Sequence, residues 1–274
     1  MDRRLTPANA YVAASYLKGS IDAPRYSDGE TRRVGRPCVD LLRAPGGARD
    51  RQALMGDAVT VYDTRDGYAF VRGQKDGYVG YVKAEALVED FTPTHWVAVP
   101  GSHAYSKPDI KSPDVQSLVF GNALEIVSHV PNFFETAQGT FIPKRHLWPI
   151  DKRFADPVTA AQLHFGVPYL WGGNSSRGID CSGLVQASLM AVGQACPGDS
   201  DLQEAVLGTA LAPDAVLQRG DLLFWKGHVA MVVDAETMIH ANANAMAVSY
   251  EPIAKAVLRI EAVGDGPVTS RKRL

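Results

Sequence analysis

The spacing of apolar positions changes character along this chain. From residue 34 to 149 the apolar residues come in short, partly alternating runs. These are CVDLL, DAVTVYD, YAFVRG and GYVGYV, then THWVAVP, SLVF, ALEIVSH, NFFETA and GTFIP. Short runs with period-two character predict strands. The first set is divided by APGG, TRDG and QKDG, and Pro100, Pro108, Pro113, Pro131 and Pro143 punctuate the second. Such residues set turns and strand edges. Many short strands in so few residues favour a small barrel over a sandwich. Residues 34–90 and 91–150 are therefore each expected to be a small all-β barrel. Residues 1–33 read as a leader segment, with a short helix from Pro7 through Tyr11, Ala13, Ala14 and Leu17.

The pattern changes between Pro149 and Pro157, across the charged joint IDKRFAD. VTAAQLHF predicts a helix. In GIDCSGLVQASLMAVG, residues 178–193, Leu184, Val185, Ala187, Leu189 and Val192 form an apolar stripe at helical spacing. Asp180 and Ser182 are candidate caps for its first amides, and Gly193 is a candidate stop. After the Pro197-Gly198 turn, Asp199 or Ser200 caps a short helix. DLLFWKG, HVAMVVD and MIHANA then predict strands, the last two joined tightly by DAET. Residues 151–274 are expected to form an α+β domain.

The chain has 274 residues, 46% of them apolar, and a formal net charge of -2. No basic block marks a nucleic-acid partner. No apolar run approaches the ~20 residues of a membrane span, and the opening MDRRLTPANAYVAASYLKG lacks the apolar core of a signal peptide. The three cysteines, Cys38, Cys181 and Cys196, are an odd number, which points to a reducing compartment. The expected location is the cytoplasm, with no membrane partner.

The candidate chemistry centres on Cys181. A thiol at a helix N-terminus faces open amides and the positive end of the dipole, and both favour thiolate. His228 and His240 sit on neighbouring hairpin strands. One imidazole can deprotonate the thiol while the other orients the first, the arrangement of covalent acyl transfer. If His228, Ala230 and Val232 face one way, the small Ala230 leaves room for the Cys181 helix. The Cys181 amide is the first candidate donor to an oxyanion. A zinc site built from Cys181, His228 and His240 is the competing chemistry, but the cysteine lies in no CxxC pair. A non-catalytic binding module, with Cys181 merely buried, is the other alternative. Cys196 reads as a structural thiol, and no cofactor is expected.

DCSGLVQ at 180–186, GDLLFWKGHVAMVVD at 220–234, MIHANA at 238–243 and the lead-in PYLWGG at 168–173 resemble the NlpC-type family of cell-wall cysteine peptidases. The resemblance implies a stripped-down papain-like fold with Cys181 as nucleophile, His228 as base and His240 as the orienting residue. Upstream, both β blocks resemble the bacterial SH3-like domains that precede the catalytic domain in one branch. That branch cleaves the γ-D-glutamyl-L-diamino acid bond of muropeptides whose L-alanine amine is free. By this resemblance the amine contacts map to Asp180, Ser182, Asp199 and Ser200, with Tyr78 of DGYVGYV closing the pocket. The groove carboxylate maps to Asp50 in GGARDRQALMGDAV, although another alignment puts Ala48 there. The implied partner is a small muropeptide, processed in murein recycling. A general stem-peptide or cross-bridge hydrolase without free-amine specificity is the alternative within the class.

Overall fold

The computed structural model describes residues 1–264 and 266–274. They divide into two compact units, Met1–Lys152 and Arg153–Leu274. In the first unit seven strands form one sheet. Its order is Arg49–Leu54, Cys38–Leu42, Val79–Lys83, Tyr68–Gly73, Ala58–Arg65, Glu30–Val34 and Leu87–Glu89. Every ladder is antiparallel. The TRDG signal becomes a tight hairpin in which Asp66 and Gly67 have φ of 51° and 78°, the backbone that two-residue hairpin loops require.

The expected SH3-like barrel does not form here. The two end strands, Arg49–Leu54 and Leu87–Glu89, do not pair with each other, so the sheet is open. The chain just past Leu54 is engaged elsewhere. Met55 enters a separate core with Val97, Leu118 and Leu124. Its carbonyl accepts from the Ala123 amide at 2.9 Å, and the Asn122 side-chain amide donates to Pro37 O at 2.8 Å. Gly56, at φ +86°, lies where an added Cβ would collide with the Ala123 carbonyl. Covering by a neighbouring segment protects a sheet edge without closure.

The second β block also stays open. Ala123–Leu124, His95–Val97 and Leu147–Pro149 form one three-stranded sheet. Asp114–Val119, Gly101–Tyr105, Phe141–Pro143, Phe133–Thr136 and Ile126–His129 form a separate five-stranded one. Pro143 and Pro149 end their strands without an amide to donate, and register shifts at Ala104/Tyr105 and Ile126/Ser128 break the ladders.

Nor does a helix run from Pro7 to Leu17. Ala13–Ala14 pair with Tyr26–Ser27, and Ser15–Leu17 make a single 3₁₀ turn. Val12 and Ala14 are buried beside Tyr62, Phe70 and Val79, so apolar residues read as a helical face instead fill a gap in the β core.

The second unit is a helix-covered antiparallel sheet. Its strands are β1 (Thr209–Ala210), β2 (Leu222–Trp225), β3 (His228–Val232), β4 (Thr237–Asn242), β5 (Ala247–Pro252) and β6 (Ser270–Arg273), in spatial order β1-β6-β2-β3-β4-β5. The helices are α1 (Pro157–Gln162), α2 (Cys181–Ala191), α3 (Ser200–Val206) and α4 (Ile253–Ala262). Asp156 caps α1 through the Val158 and Thr159 amides, ahead of a proline at the first helical position.

Strand alternation splits the second core in two. Val229, Met231, Ile239 and Ala241 face α2 with Leu184, Val185 and Leu189. Leu223, Trp225, Ala230, Val232 and Met238 face the other way, with Ala256 and Ile260 of α4. Ala230 therefore makes room for α4, not for the cysteine helix as expected. VLRIEAVG, whose pattern allows a final strand or a helix end, supplies the last part of α4, and the helix begins earlier, at Ile253. Among the described residues, no helix is long and apolar enough to cross a membrane.

His164, just past α1, is 1% exposed, with its Nδ1 3.1 Å from Ala160 O. Burial lowers its pKa from 6.5 to about 4. The unfolded chain therefore binds the extra proton first as pH falls, and stability is lost from about pH 6.5 down to about 4. At about 1.4 kcal/mol per unit, this histidine costs about 2 kcal/mol between pH 7 and pH 5. Urea unfolding at the two pH values should show a correspondingly smaller loss in His164→Gln than in wild type. Equal losses in both proteins would contradict the assignment.

Candidate active site

Cys181 is the first residue of α2, and its helix start is held by side chains of the same loop. Asp180, the N-cap, accepts from the Gly183 amide at 2.6 Å and the Ser182 hydroxyl at 3.0 Å through Oδ1. Its Oδ2 accepts from the Gly172 amide at 2.9 Å. Gly183 is required here: a Cβ would run into the carbonyl of Gly173. The carboxylate thus fixes the PYLWGG loop to the start of α2.

The thiol meets β3 at its beginning. Cys181 Sγ is 4.0 Å from the Gly227 carbonyl, and the Val229 amide bonds to the sulfur. These two backbone groups flank His228. His228 Nε2 lies 2.9 Å from His240 Nδ1. The hairpin brings the rings together with centroids 5.1 Å apart and planes at 63°. With Nε2 committed to His240, Nδ1 is the His228 nitrogen left to serve the thiol. The structure therefore gathers the three residues singled out for the chemistry.

The electrostatics differ from the helix-dipole expectation. Burial, then the charge of Asp180, pushes the Cys181 thiol up to about 12, against smaller opposing effects of the Val229, Ser182 and Cys181 amides. Burial lowers His228 to about 3, assisted by His240 and Arg259. Burial lowers His240 to about 4, with Glu251 opposing. At neutral pH the site thus rests as a neutral thiol beside neutral imidazoles, and attack requires proton transfer to the base.

The candidate amine contacts fall in several places. Ser182 is buried beside Asp180. Asp199 and Ser200 open α3, and α3 is tied to this loop by Gln203 Nε2, which donates to Ser182 O at 2.8 Å. Asp50 and Tyr78 belong to the first unit. Asp50 is held by Arg3 at 2.7 Å and Arg43 at 2.9 Å. Tyr78 is 3% exposed in a core with Leu41, Val71 and Val82, its ring 5.8 Å from the Arg51 guanidinium carbon.

Three features escaped the sequence reading. Glu251 on β5 accepts from His240 Nε2 at 3.1 Å and from Arg259 of α4 at 2.9 and 2.7 Å. Tyr169, from PYLWGG, is held protonated chiefly by burial, with the charge of Asp180 adding to it. An open cleft of about 510 Å³ runs past His228, walled by Tyr169, the exposed Trp171, Lys226 and Asn242. Its volume suits a small peptide.

Comparison with known proteins bears on this unit. Residues 166–265 match the NlpC/P60 family, and residues 41–87 match the family described as bacterial dipeptidyl-peptidase Sh3 domain. Gamma-D-glutamyl-L-lysine dipeptidyl-peptidase of Bacillus cereus is 28% identical over 74% of this chain and 70% of its own length. The protein of that name from Bacillus subtilis is 26% identical over 69% of this chain and 71% of its own. The crystal structure of an NlpC/P60 family protein from Bacillus cereus superposes with a TM-score of 0.74 at 21% identity, covering 89% of this chain and 99% of that one. This likeness is one of fold. The family match lies across Cys181, His228 and His240, so the part of the chain that carries these three residues is similar to the NlpC/P60 family.

Proposed function

We propose that this protein hydrolyses peptidoglycan stem peptides by covalent thiol catalysis, cutting the γ-D-glutamyl-L-diamino acid bond of peptides with a free N-terminal L-alanine. The observation that carries the reading is the placement of Cys181 Sγ against the backbone on both sides of His228, whose other ring nitrogen is bonded to His240. The names of the Bacillus relatives support the choice of bond.

In the proposed reaction, Sγ attacks the γ-carbonyl carbon of D-glutamate while the thiol proton passes to His228 Nδ1. The Cys181 amide, at the open start of α2, donates to the oxyanion. Collapse breaks the C–N bond, and His228 returns the proton to the leaving amine of the diamino acid. Water, deprotonated by His228, then attacks the thioester carbon; the C–S bond breaks, His228 returns the proton to Cys181 Sγ, and L-Ala-γ-D-Glu is released.

Asp180 supports recognition of the free amine. Three donors orient its carboxylate next to the nucleophile, and an ammonium brought into a closed pocket must be paired. Ser182, Asp199 and Ser200 are proposed to share this contact. N-acetylation of the tripeptide removes the charge and adds bulk. A charge-assisted hydrogen bond contributes roughly 1.5–3 kcal/mol, so acetylation is expected to lower kcat/KM by at least about 10-fold. Asp199→Asn should narrow the gap by impairing only the free-amine peptide. Similar rates on both peptides would replace this specificity with that of a general stem-peptide hydrolase, and binding without product would replace catalysis with recognition alone.

A further inference from the structure

The two histidines are the end of a longer chain of contacts. His228 Nε2 faces His240 Nδ1 at 2.9 Å, and His240 Nε2 faces Glu251 Oε2 at 3.1 Å. Glu251 Oε2 and Oε1 accept from Arg259 Nη2 at 2.7 Å and Nε at 2.9 Å. His240 is fully buried, and the Glu251 side chain is 18% exposed. Register explains how Glu251 reaches this point. His240 is opposite Ser249 on β5, and the residue two further along projects from the same face. Arg259 arrives from α4, one turn before the helix ends.

We infer that Glu251, clamped by Arg259, is a positioning residue that fixes the protons of both histidines and so leaves Nδ1 of His228 bare as the base. The assignment follows link by link. A carboxylate holding an arginine fork is ionised and only accepts. The His240 Nε2 facing it must therefore carry a hydrogen. A neutral imidazole has one N–H, so His240 Nδ1 is an acceptor. The His228 Nε2 opposite must then donate, which leaves His228 Nδ1 with its lone pair. Without the carboxylate, the reverse chain becomes accessible. His240 Nδ1–H would then donate to His228 Nε2, and His228 Nδ1 would hold the proton and be useless as a base. A base held in the wrong tautomer loses most of its effect. The charged and titratable groups acting on His228 are His240 from β4, Glu251 from β5 and Arg259 from α4; Lys226 lines the same cleft, and Asp180 acts on the neighbouring Cys181.

The kinetic consequence rests on the hydrolase reading above, but the proton assignment does not. Long-range ¹H–¹⁵N spectra of the substrate-free full chain at pH 7 should show both His228 and His240 protonated at Nε2. In Glu251→Ala, checked for an intact fold by thermal melting, Nδ1-protonated forms of both rings should appear. Glu251→Leu, which also removes the acceptor, carries the same test should the alanine variant not fold. With the free-amine tripeptide, kcat should fall at least about 10-fold with KM little changed, and Glu251→Asp should recover part of it. Wild-type tautomers in the folded alanine variant, or kcat within twofold of wild type, would overturn the inference. If wild-type protein turned over no stem peptide, the proposed function would fall, while the spectra would still decide the tautomer assignment.

Discussion

Cys181→Ala and Cys181→Ser are expected to abolish hydrolysis of the free-amine tripeptide while leaving the fold intact. The sulfur is the only protein atom proposed to bond to substrate carbon. Its loss removes the covalent route, and the residual rate comes from binding and oxyanion contacts alone. Loss of a nucleophile that works with its base as a unit costs roughly 10⁴-fold or more in kcat. Serine keeps the size but raises the demand on the base, because a hydroxyl is far harder to deprotonate than a thiol. The helix start does not depend on the thiol: Asp180 caps it through the Gly183 amide and ties it to Gly172. The melting temperature of either variant should therefore stay within a few degrees of wild type. Wild-type turnover by Cys181→Ala would remove the thiol from the mechanism.

His228→Ala should be nearly as damaging, at roughly 10²–10⁴-fold in kcat, the usual contribution of a positioned acid–base group. The resting site makes the need for this base acute. A thiol pushed up to about 12 supplies almost no thiolate at neutral pH, so the proton must be taken during attack. The same electrostatics set the pH profile. His228 is lowered to about 3 and His240 to about 4. The neutral, basic form of the pair therefore persists well below 6.5, and is lost only as pH falls toward 4. On the acid side, kcat should hold through pH 6 and drop near pH 4. A drop centred near 6.5 would mean that the imidazoles titrate as if exposed. His240→Ala should cost less than His228→Ala, because it removes orientation and leaves the proton acceptor in place.

Much of the candidate site could be read in the residues themselves. The apolar stripe from Leu184 to Leu189 placed Cys181 at a helix start, and the short DAET connection set His228 and His240 side by side. Most β segments were visible too, because period-two alternation is local. Closure of a sheet is not local, which is why the barrels were expected and the open sheets were not. Met55, directly after the end strand, joins the core around Val97 and Leu124, a contact no alternation pattern encodes. The ionisation of Cys181 was missed for a similar reason: the dipole argument sees the helix, whereas burial comes from the sheet packed against it. Glu251 and Arg259 were missed although a signal existed. Ile253, Ala256, Val257 and Ile260 have helical spacing and pack together against the sheet. Reading that helix would have turned Arg259 toward the strand that carries Glu251.

The most direct measurement is mass spectrometry of L-Ala-γ-D-Glu-diaminopimelate, or its lysine counterpart, incubated with wild-type protein and with Cys181→Ser. The expected result is L-Ala-γ-D-Glu and the free diamino acid from wild type, with the peptide intact in the variant. Identical products from both proteins, or an intact peptide in both, would contradict hydrolysis of this bond through Cys181.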